Sequence, residues 1–330
     1  MEITTTIIIP NYNGLKFLDE CIRSLKAQTY SNFRILVVDN GSQDGSAEWL
    51  REKNIDTIFL EKNTGFSGAV NVGIRESHTP YVILLNNDVR ADEYFVAELV
   101  RAIGQSDKIF SVSSRMIQMY HPDLLDDAGD MYSILGWAYQ RGVGQRLNCC
   151  RRPCRVFSAC AGAAIYRREV FDEIGYFDEM HFAYLEDMDV GYRARIAGYD
   201  NVYCPEALVW HVGSGTSGSK YNPFKVKLAA RNNVYLYYKN MPAPQLIINA
   251  VPIAAGTFLK YLFFRKMGYE KEYLEGLKEG IRTMRRCRRV KYDPAHLKNY
   301  LAIELELVAG AFLYVYEFAA RRMRRNQSES

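Results

Sequence analysis

The stretch FRILVVDNGSQDG, residues 33–45, decides how the first half of this chain folds. Its apolar run is continuous rather than alternating, and it stops at Asp39. Such a run is typical of a β-strand that is covered on both faces, as in a parallel sheet. The residues from Asn40 to Gly45 are of the types that favour turns. We therefore predict a buried strand that delivers a carboxylate to the edge of a sheet.

Three further stretches repeat this arrangement of an apolar run that ends in a polar cluster. Helical spacing follows each of them, as in residues 14–28, where Leu15, Leu18 and Ile22 share one face. Strands that alternate with helices predict a parallel sheet in an α/β domain, with ligands beyond the carboxyl ends of the strands. We therefore expect one pocket that collects four loops. The three further stretches are TTTIIIPNYNG (4–14), IDTIFLEKNTGFSG (55–68) and YVILLNND (81–88).

Composition places the chain among folded globular proteins, with 48% hydrophobic and 24% charged residues in a total of 330. The formal net charge of +4 is unevenly distributed. Residues 260–325 carry 16 Lys and Arg against 8 Asp and Glu. A basic C-terminal third points to an anionic partner for that part of the chain.

Several classes of function are disfavoured by local patterns. The turn after the first strand, PNYNG, lacks the G-x-G-x-x-G of a dinucleotide enzyme and the Gly-rich phosphate loop of a sugar nucleotidyltransferase. The stretch CCRRPC (149–154) lacks the paired CxxC spacing of a structural zinc site. Seven Cys, an odd number, and a first segment without a signal-peptide pattern predict a reducing, cytoplasmic setting.

The resemblance to a known family rests on seven motifs in a fixed order. The chain resembles family 2 glycosyltransferases with the GT-A fold over about residues 3–240, and it is similar to bacterial rhamnosyltransferase-like members that build cell-surface polysaccharides. Each motif alone is weak, but their order is specific. The motifs are IIIPNYNG (7–14), ILVVDNGSQDG (35–45), NTGFSGAVNVG (63–73), LLNNDV (84–89), the segment EVFDEIGYFDEMHFAYLEDMDVGYRARIAGY (169–199), VWHVG (209–213) and RNNVYLYYKN (231–240).

The resemblance implies an α/β fold of GT-A type. This is a Rossmann-like, mainly parallel central sheet flanked by helices, here with a C-terminal helical extension. We expect a catalytic domain over 1–223, with a nucleotide-binding half at about 1–105 and an acceptor-binding half at about 106–223. Residues 224–330 would form a helical, basic region.

The donor site implied by the resemblance lies in the first two loops and before the third helix. Asp39 would accept a hydrogen bond from the pyrimidine N3–H, and Tyr12, in the loop opened by Pro10, would stack on the base. Asn63 and Gly65 would let a phosphate or ribose approach a helix N-terminus. Two structural alternatives stay open: Asp39 would cap its own turn, and the glycine would serve helix–sheet packing.

A divalent metal is the third part of the implied site. Asp88 would ligate Mn²⁺ or Mg²⁺ together with the diphosphate of the donor, since these ions prefer oxygen ligands. Asn86 and Asn87 precede it and would contact the sugar nucleotide, with a plain loop amide as the alternative. His211 would be a further ligand, which favours Mn²⁺. A single carboxylate predicts weak metal binding in the absence of donor.

The stretch LEDMDVGYR (185–193) supplies the remaining chemistry. By resemblance, Asp187 is the catalytic base, kept ionised by the helix N-terminus, with an N-cap role as the alternative. Glu186 would bind a sugar, and Asp189 would pair with Arg193 four residues on.

The cations that would neutralise the diphosphate are expected around and just beyond the end of the predicted catalytic domain. The Gly/Ser-rich run 213–220 is predicted to form a lid over the donor. Arg231 is favoured among the cations over Lys220, Lys225 and Lys227, since it belongs to a family motif.

The C-terminal region combines apolar helical faces with clusters of Lys and Arg. Residues 244–264 have the length of a membrane span but are interrupted by Pro252 and Lys260. Apolar faces beside basic clusters suit the surface of an anionic membrane. Helical packing or a homodimer are the alternatives, and nucleic acid is not expected as a partner. A membrane-bound tail would favour a polyprenyl-linked acceptor and a position on the inner face of the cytoplasmic membrane.

These observations lead to one main hypothesis and two alternatives. We expect an inverting, metal-dependent glycosyltransferase that moves a sugar from a nucleoside-diphosphate donor to a glycan or lipid-linked glycan. The first donor expected is dTDP-rhamnose, and the alternative is a UDP-hexose or UDP-N-acetylhexosamine. Other classes to be tested are a non-catalytic sugar-nucleotide-binding scaffold and a nucleotidyltransferase.

Overall fold

A sheet of ten strands runs through the centre of the molecule. The structure is a computed structural model, and it describes residues 3–213 and 221–328, with side chains up to residue 320. Strands and helices of the first half alternate as predicted. These elements are β1 (Thr5–Asn11), α1 (Leu15–Lys26), β2 (Phe33–Asp39), α2 (Ser46–Glu52), β3 (Thr57–Phe59), α3 (Gly65–Glu76) and β4 (Tyr81–Leu85).

The second half of the chain contains more short strands than the first. One 3₁₀ turn (Glu179–His181) and several bulges interrupt its regular pattern. Its elements are β5 (Val89–Ala91), α4 (Phe95–Ile103), β6 (Ile109–Gln118), β7 (His121–Asp127), β8 (Asp130–Tyr132), β9 (Ala138–Gln140), β10 (Cys154–Val156), β11 (Ala163–Arg167), α5 (Val170–Ile174), α6 (Glu186–Ala197) and β12 (Asp200–His211).

The order of the strands puts the predicted site loops on one edge. The sheet runs β10-β12-β6-β11-β4-β1-β2-β3, and β3, β2, β1 and β4 are all parallel. Register pairs Asn11 with Asp39, so that β1 and β2 end side by side. Next to this parallel block, β11 is antiparallel to both β4 and β6. The sheet is therefore mixed, with a four-stranded parallel block in the first half and a further parallel pair, β6 with β12, in the second.

Both faces of the sheet are covered, which explains the continuous apolar runs. Ile7 and Ile9 of β1 point into one buried cluster with α1 and α4, whereas Ile8 points into another with α3, α5 and α6. Successive residues of a strand face opposite sides, so a strand between two helical layers has no polar face.

Four helices make up the described part of the C-terminal region, and they pack on the sheet domain. Met188 and Tyr192 of α6 share one apolar cluster with Leu236, Ile303 and Leu307 from these helices. The predicted boundary near residue 223 stays a prediction, since this shared core joins the two regions. The helices are α7 (Pro223–Asn240), α8 (Ala243–Lys266), α9 (Glu270–Thr283) and α10 (Leu297–Ser328).

Helix α8 is continuous through Pro252, which the sequence suggested as an interruption. By length and composition, α8 is also the one helix among the described residues that is apolar enough to cross a membrane. Only 11% of its most apolar 18-residue window is buried inside the protein.

A buried ion cluster ties α6 to α7. Asp189, which is fully buried, accepts hydrogen bonds from Arg193 Nε (3.1 Å), Lys239 Nζ (2.7 Å) and Asn240 Nδ2 (2.8 Å). Lys239 also donates to Asp178 at 2.8 Å. The predicted pairing of Asp189 with Arg193 is therefore present, within a larger network that the sequence did not indicate.

Cations control the ionisation of this carboxyl group. Burial alone would raise the pKa of Asp189, but the charges of Lys239 and Arg193 lower it far below its usual value. A depressed pKa in the folded state stabilises the fold above the unfolded pKa of about 4, and this contribution is lost as pH falls below it.

We predict that Asp189→Ala destabilises the protein by about 3–5 kcal/mol, because it leaves the buried Arg193 without its carboxylate partner and Lys239 with Asp178 alone. The difference from wild type should shrink as pH falls below about 4, since the unfolded wild-type chain then binds a proton at Asp189 that the folded protein does not. Urea unfolding at several pH values measures both effects. The control is Asp19→Ala, which removes an exposed partner of Arg23 and should cost about 1 kcal/mol or less. Equal losses in the two variants would refute the prediction.

Candidate active site

The loops at the carboxyl ends of β1, β2 and β4 are joined by their own side chains. Asn87 Nδ2 donates to Asn11 Oδ1 at 2.7 Å, and Asn11 Nδ2 donates to Asp39 Oδ1 at 2.9 Å. All three side chains are buried. The expected gathering of the loops is therefore present, and Asn87 holds the first loop rather than pointing freely towards a ligand.

Asp39 is shared between two uses. Its Oδ2 accepts from the backbone N–H of Ser42 at 3.2 Å, so it does cap the turn that follows β2. Its carboxylate lies at the end of β2, where Asp39 is paired with Asn11 of β1. The next residue of that loop, Tyr12, is 37% exposed. Pro10 is half-buried in β1 beside them. Tyr12 directly follows Asn11, so the loop end that carries this exposed ring starts beside the end of β2.

The N-terminus of α3 is occupied by another part of the same chain. The carbonyl oxygen of Phe182 accepts from Ser67 N at 3.2 Å, and a side chain at Gly65 would collide with Phe182. Asn63 Oδ1 accepts from Gly65 N at 2.8 Å and from Asn40 Nδ2 at 3.1 Å. The prediction that Asn63 and Gly65 admit an anion here is corrected accordingly, because the close approach is made by Phe182.

Asp88 and His211 lie together, on neighbouring strands. Antiparallel pairing of β12 with β5 sets His211 opposite Val89, next to Asp88. His211 Nε2 is 3.3 Å from Asp88 Oδ1, and Nδ1 is 2.7 Å from Asp126 Oδ2. A carboxylate on the second ring nitrogen is the usual device that orients a metal-binding histidine. Asp126, at the end of β7, was missed by the sequence reasoning.

The chemistry of this donor set fits a divalent ion. Burial alone would lower the pKa of His211, but Asp126 and Asp88 raise it to about 10. The imidazole therefore lies in a strongly negative environment. Carboxylate oxygen and imidazole nitrogen are ligands that Mn²⁺ accepts, with substrate phosphate oxygens to complete its shell. The amide of Asn86 packs over Gly162. Among the described residues it forms no hydrogen bond to His211.

Asp187 lies in the first turn of α6 with hydrogen bonds on both oxygens. Oδ1 accepts from Met188 N at 2.7 Å and Oδ2 from Ala161 N at 3.3 Å. Burial raises the pKa of Asp187, while these two N–H groups oppose the rise. The expectation that the helix N-terminus keeps this group readily ionised is thus corrected. A half-buried carboxyl with a raised pKa is a stronger base once its proton has left.

A group of buried acids surrounds Asp187. Ligand atoms of Asp127, Asp130 and Cys160 all lie within 4.8 Å of one another. Burial raises the pKa of Asp127 to about 8, and it raises those of Asp130 and Glu186 well above their usual values. Burial therefore favours the neutral form of each of these groups. The signal in the sequence was LLDDAGD (124–130), with three acids in seven residues, but we did not single it out.

Arg231 is engaged inside the protein. Its guanidinium donates to Glu279 at 3.1 Å and to the carbonyl oxygens of Met180 and His181 at 3.0 Å each. It therefore braces α7 against α9 and the segment before α6. This corrects the expectation that Arg231 binds the diphosphate.

Lys225 is the better placed cation among those described. Burial lowers the pKa of Lys225, and the charge of Asp88 opposes this shift. Lys227 instead pairs with Glu275 and Glu279. Most of the predicted lid, residues 214–220 with Lys220, lies outside the described residues.

The first half of the chain matches a known protein family. The family model of glycosyl transferase family 2 matches residues 6–175, which is more than half of the chain. The chain belongs to glycosyl transferase family 2. The matched residues include β1 to β4, the loops that carry Asp39 and Asp88, and the buried acids at the end of β7.

Two curated relatives show how far this similarity extends. An uncharacterised protein, y4gI of Sinorhizobium fredii, is 28% identical over 239 residues, which cover 67% of this chain but 26% of that protein. The chain therefore spans about a quarter of that relative. N-acetylglucosaminyl-diphospho-decaprenol L-rhamnosyltransferase of Mycobacterium tuberculosis is 28% identical over 261 residues, 70% of this chain and 82% of the relative.

Solved structures support the GT-A fold. S. aureus TarS 1–349, in complex with UDP-GlcNAc, has a TM-score of 0.57 and 17% identity, and covers 86% of this chain and 82% of that one. The mannosyltransferase PcManGT from Pyrobaculum calidifontis, in complex with GDP-Man and Mn²⁺, has a TM-score of 0.54 and 12% identity, with coverage of 96% and 88%. At these identities the likeness concerns the fold alone.

We predict that Asp126→Asn weakens Mn²⁺ binding in the presence of UDP by about 10–100-fold, because His211 then loses the carboxylate that orients it. Calorimetric titration of Mn²⁺ into protein saturated with UDP measures the change. Asp123→Asn, an exposed site on the same strand, is the matched control and should bind as the wild type does. Unchanged affinity in Asp126→Asn would exclude this metal position.

Proposed function

We propose that this protein is an inverting glycosyltransferase that uses a nucleoside-diphosphate sugar and a glycan or lipid-linked glycan acceptor. Asp187 takes the proton of the acceptor hydroxyl as that oxygen attacks the anomeric carbon. The new glycosidic bond forms while the bond from the anomeric carbon to the diphosphate oxygen breaks. The nucleoside diphosphate leaves from the opposite face of the sugar, and Asp187 later releases its proton to solvent.

One observation carries this proposal: two consecutive residues of β7 face the two halves of the site. Asp126 Oδ2 bonds to Nδ1 of His211 in the proposed metal pair, whereas the buried Asp127 belongs to the group of acids with Asp130, whose ligand atoms lie within 4.8 Å of one another. Asp127 pairs with Met116 of β6, and Asp126 is the extra residue of the β-bulge beside it. The proposed metal pair and the proposed base are therefore built around one short strand, as a transfer between diphosphate and hydroxyl requires.

Asp88 and His211 would hold Mn²⁺ or Mg²⁺ together with the diphosphate. The ion, when bound, supplies charge stabilisation for the leaving diphosphate. Lys225 adds a positive charge on the same side, near Asp88. Asp126 holds the imidazole of His211 in place through its 2.7 Å hydrogen bond.

For the donor we propose dTDP-rhamnose first and a UDP-hexose or UDP-N-acetylhexosamine second. The support for rhamnose is that the mycobacterial relative, at 28% identity, is an L-rhamnosyltransferase. Asp39 and Tyr12 would bind the pyrimidine base, which is thymine in dTDP-rhamnose and uracil in the UDP-sugars. Glu186, which is buried with Oε2 lacking a hydrogen-bond partner among the described residues, would contact a sugar hydroxyl as a neutral carboxyl.

We predict that Asp187→Asn lowers the transfer rate by about 10²–10⁴-fold, because the amide cannot accept the proton. Release of nucleoside diphosphate in the presence of acceptor measures transfer, and calorimetry measures donor affinity, which should stay within about threefold of wild type because the donor binds across the pocket. Asp172→Asn removes an exposed carboxylate of the same half and is the control. Full activity in Asp187→Asn would reject the base assignment.

The raised pKa of Asp187 also predicts the direction of a pH effect. Transfer should rise with pH as Asp187 loses its proton, with a midpoint above the usual range of an aspartate. A rate profile with a low-pH limb centred at the ordinary aspartate pKa would contradict this.

A panel of sugar nucleotides distinguishes the donors and the other classes of function. We expect dTDP-rhamnose with Mn²⁺ to raise the melting temperature most, followed by UDP-sugars, with GDP-mannose ineffective. Donor binding without transfer or hydrolysis would indicate a scaffold. Diphosphate released from a nucleoside triphosphate and a sugar phosphate would indicate a nucleotidyltransferase, and either result would overturn the proposal.

A further inference from the structure

The outer side of α8 is a continuous apolar stripe. Its large side chains recur every three or four residues, so they line one face of the helix. Val251 is 79% exposed and Ile247 76% exposed, values that are unusual for residues of this type. The stripe consists of Ile247, Ile248, Val251, Phe258, Leu259, Leu262 and Phe263.

Helix α10 carries a second stripe of the same kind. Phe312 is 74% exposed and Leu305 73% exposed. Their spacing again follows three and four residues, whereas Ile303 and Leu307, on the other side of the helix, are buried against the domain. The exposed residues are Leu297, Leu301, Leu305, Val308, Phe312, Val315 and Tyr316.

Both stripes point away from the domain on the same side. Gly256 of α8 and Gly310 of α10 press on the β8–β9 hairpin, since a side chain at either position would collide with the carbonyl of Leu135 or of Tyr132. Residues two positions from a helical residue lie about 200° around the axis. Phe258 and Phe312, two residues beyond these glycines, therefore point outward from one common surface.

Helices α8 and α10 are linked by polar side chains at one end and by the β8–β9 hairpin further along. Gln245 and Asn249 of α8 both donate to Glu304 of α10, at 2.8 and 2.9 Å. Further along both helices, Trp137 of the hairpin donates to the carbonyl of Gly256 and packs edge-on against Tyr314. The two stripes thus form one surface, which we call the α8–α10 face.

Acidic side chains are kept off this face. Helix α8 contains no Asp or Glu. The three acids of α10 turn inward: Glu304 to the amides of α8, Glu306 to Arg195 and Glu317 to the backbone N–H of Gly142.

Exposed lysines stand at the two ends of the α8–α10 face instead. Lys266 follows Leu262 by four residues at the end of α8, and Lys298 precedes Leu301 by three at the start of α10. The last turns of α10 add four arginines in the sequence, at 321, 322, 324 and 325. Over the described side chains the face is therefore apolar with a positive border.

We propose that the α8–α10 face lies flat on an anionic lipid bilayer, with its apolar side chains in the interface and its cations on the lipid headgroups. Amphipathic helices with a basic border bind such surfaces by these two contributions. A spanning orientation of α8 is disfavoured because it would carry the buried amides of Gln245 and Asn249, with Glu304, into hydrocarbon. A second copy of the chain is disfavoured because a two-fold contact would set one positively bordered face against another.

The location of this face also concerns the acceptor. Strand β8 runs from Asp130, in the group of acids around Asp187, to Tyr132 beneath Gly310. Two residues of strand span roughly 7 Å. If the proposed function holds, a lipid anchor in the bilayer would keep its sugar near Asp187. The membrane proposal itself does not depend on that function, because its test measures binding to vesicles rather than transfer.

The test is co-sedimentation of the full chain with vesicles of phosphatidylcholine, with and without phosphatidylglycerol. We expect wild type to bind the vesicles that contain phosphatidylglycerol and to be released by salt. The double variant Phe258→Glu/Leu262→Glu should bind these vesicles about tenfold more weakly than wild type, since two charges would enter the apolar interface. Lys266→Glu/Lys298→Glu should lose the preference for phosphatidylglycerol. Tyr120→Glu changes a residue that is 70% exposed elsewhere and should bind as wild type does.

Other outcomes would overturn the proposal. Wild type that stays in the supernatant with phosphatidylglycerol vesicles, or variants that bind as wild type does, would show that the α8–α10 face does not contact lipid. A stable dimer in light scattering that ignores vesicles and is broken by Phe258→Glu/Leu262→Glu would assign the face to a second copy. Melting curves confirm that each variant is folded, and titration with UDP and Mn²⁺ reports separately on the donor site.

Discussion

The buried charge of Asp189 is the constraint on which the arrangement of the site depends. A carboxylate without water needs cations, and here Arg193 and Lys239 supply them from α6 and α7. Arg193 also donates to the carbonyls of Gly175 and Tyr176, so the same charge fixes the start of the segment that leads to α6. The position of Asp187, two residues earlier on that helix, follows from this network.

The segment before α6 transmits this order to the nucleotide-binding half. Asn232 of α7 donates to the carbonyls of His181, Ala183 and Tyr184, and Phe182 between them closes the N-terminus of α3. The C-terminal helices are therefore part of the structure that holds the proposed site, rather than an appendage to it. This is why α7 and α10 share a core with α6.

The sequence predicted those features that depend on short-range patterns. Continuous apolar runs identified β1, β2 and β4, and the polar clusters at their ends do meet, as the bonds from Asn87 to Asn11 and from Asn11 to Asp39 demonstrate. Asp88 and His211 were singled out by motif, and they lie together. Their roles in metal binding stay proposals, but their proximity does not depend on any ligand.

What the sequence could not predict came from contacts between distant segments. Arg231 was expected to bind phosphate, but its partners lie 48 to 51 residues away and no local pattern announces them. The bulged pairing of β6 with β7 hid Asp126 in a region without clear periodicity. The positive end of α3 was correctly placed, yet Phe182, more than a hundred residues later, fills it.

The adjacency of Asp126 and Asp127 has a mechanical consequence. One peptide unit joins Asp126, which orients His211, to Asp127 of the buried group of acids, and that unit is planar. Any motion of β7 therefore displaces both ends of the site at once, and neither can be adjusted while the other stays still. Insertion of a single residue between the two aspartates would reverse the side on which one of them emerges. Under the proposed roles, this short backbone path limits how far the metal pair can move relative to the group of acids around Asp187.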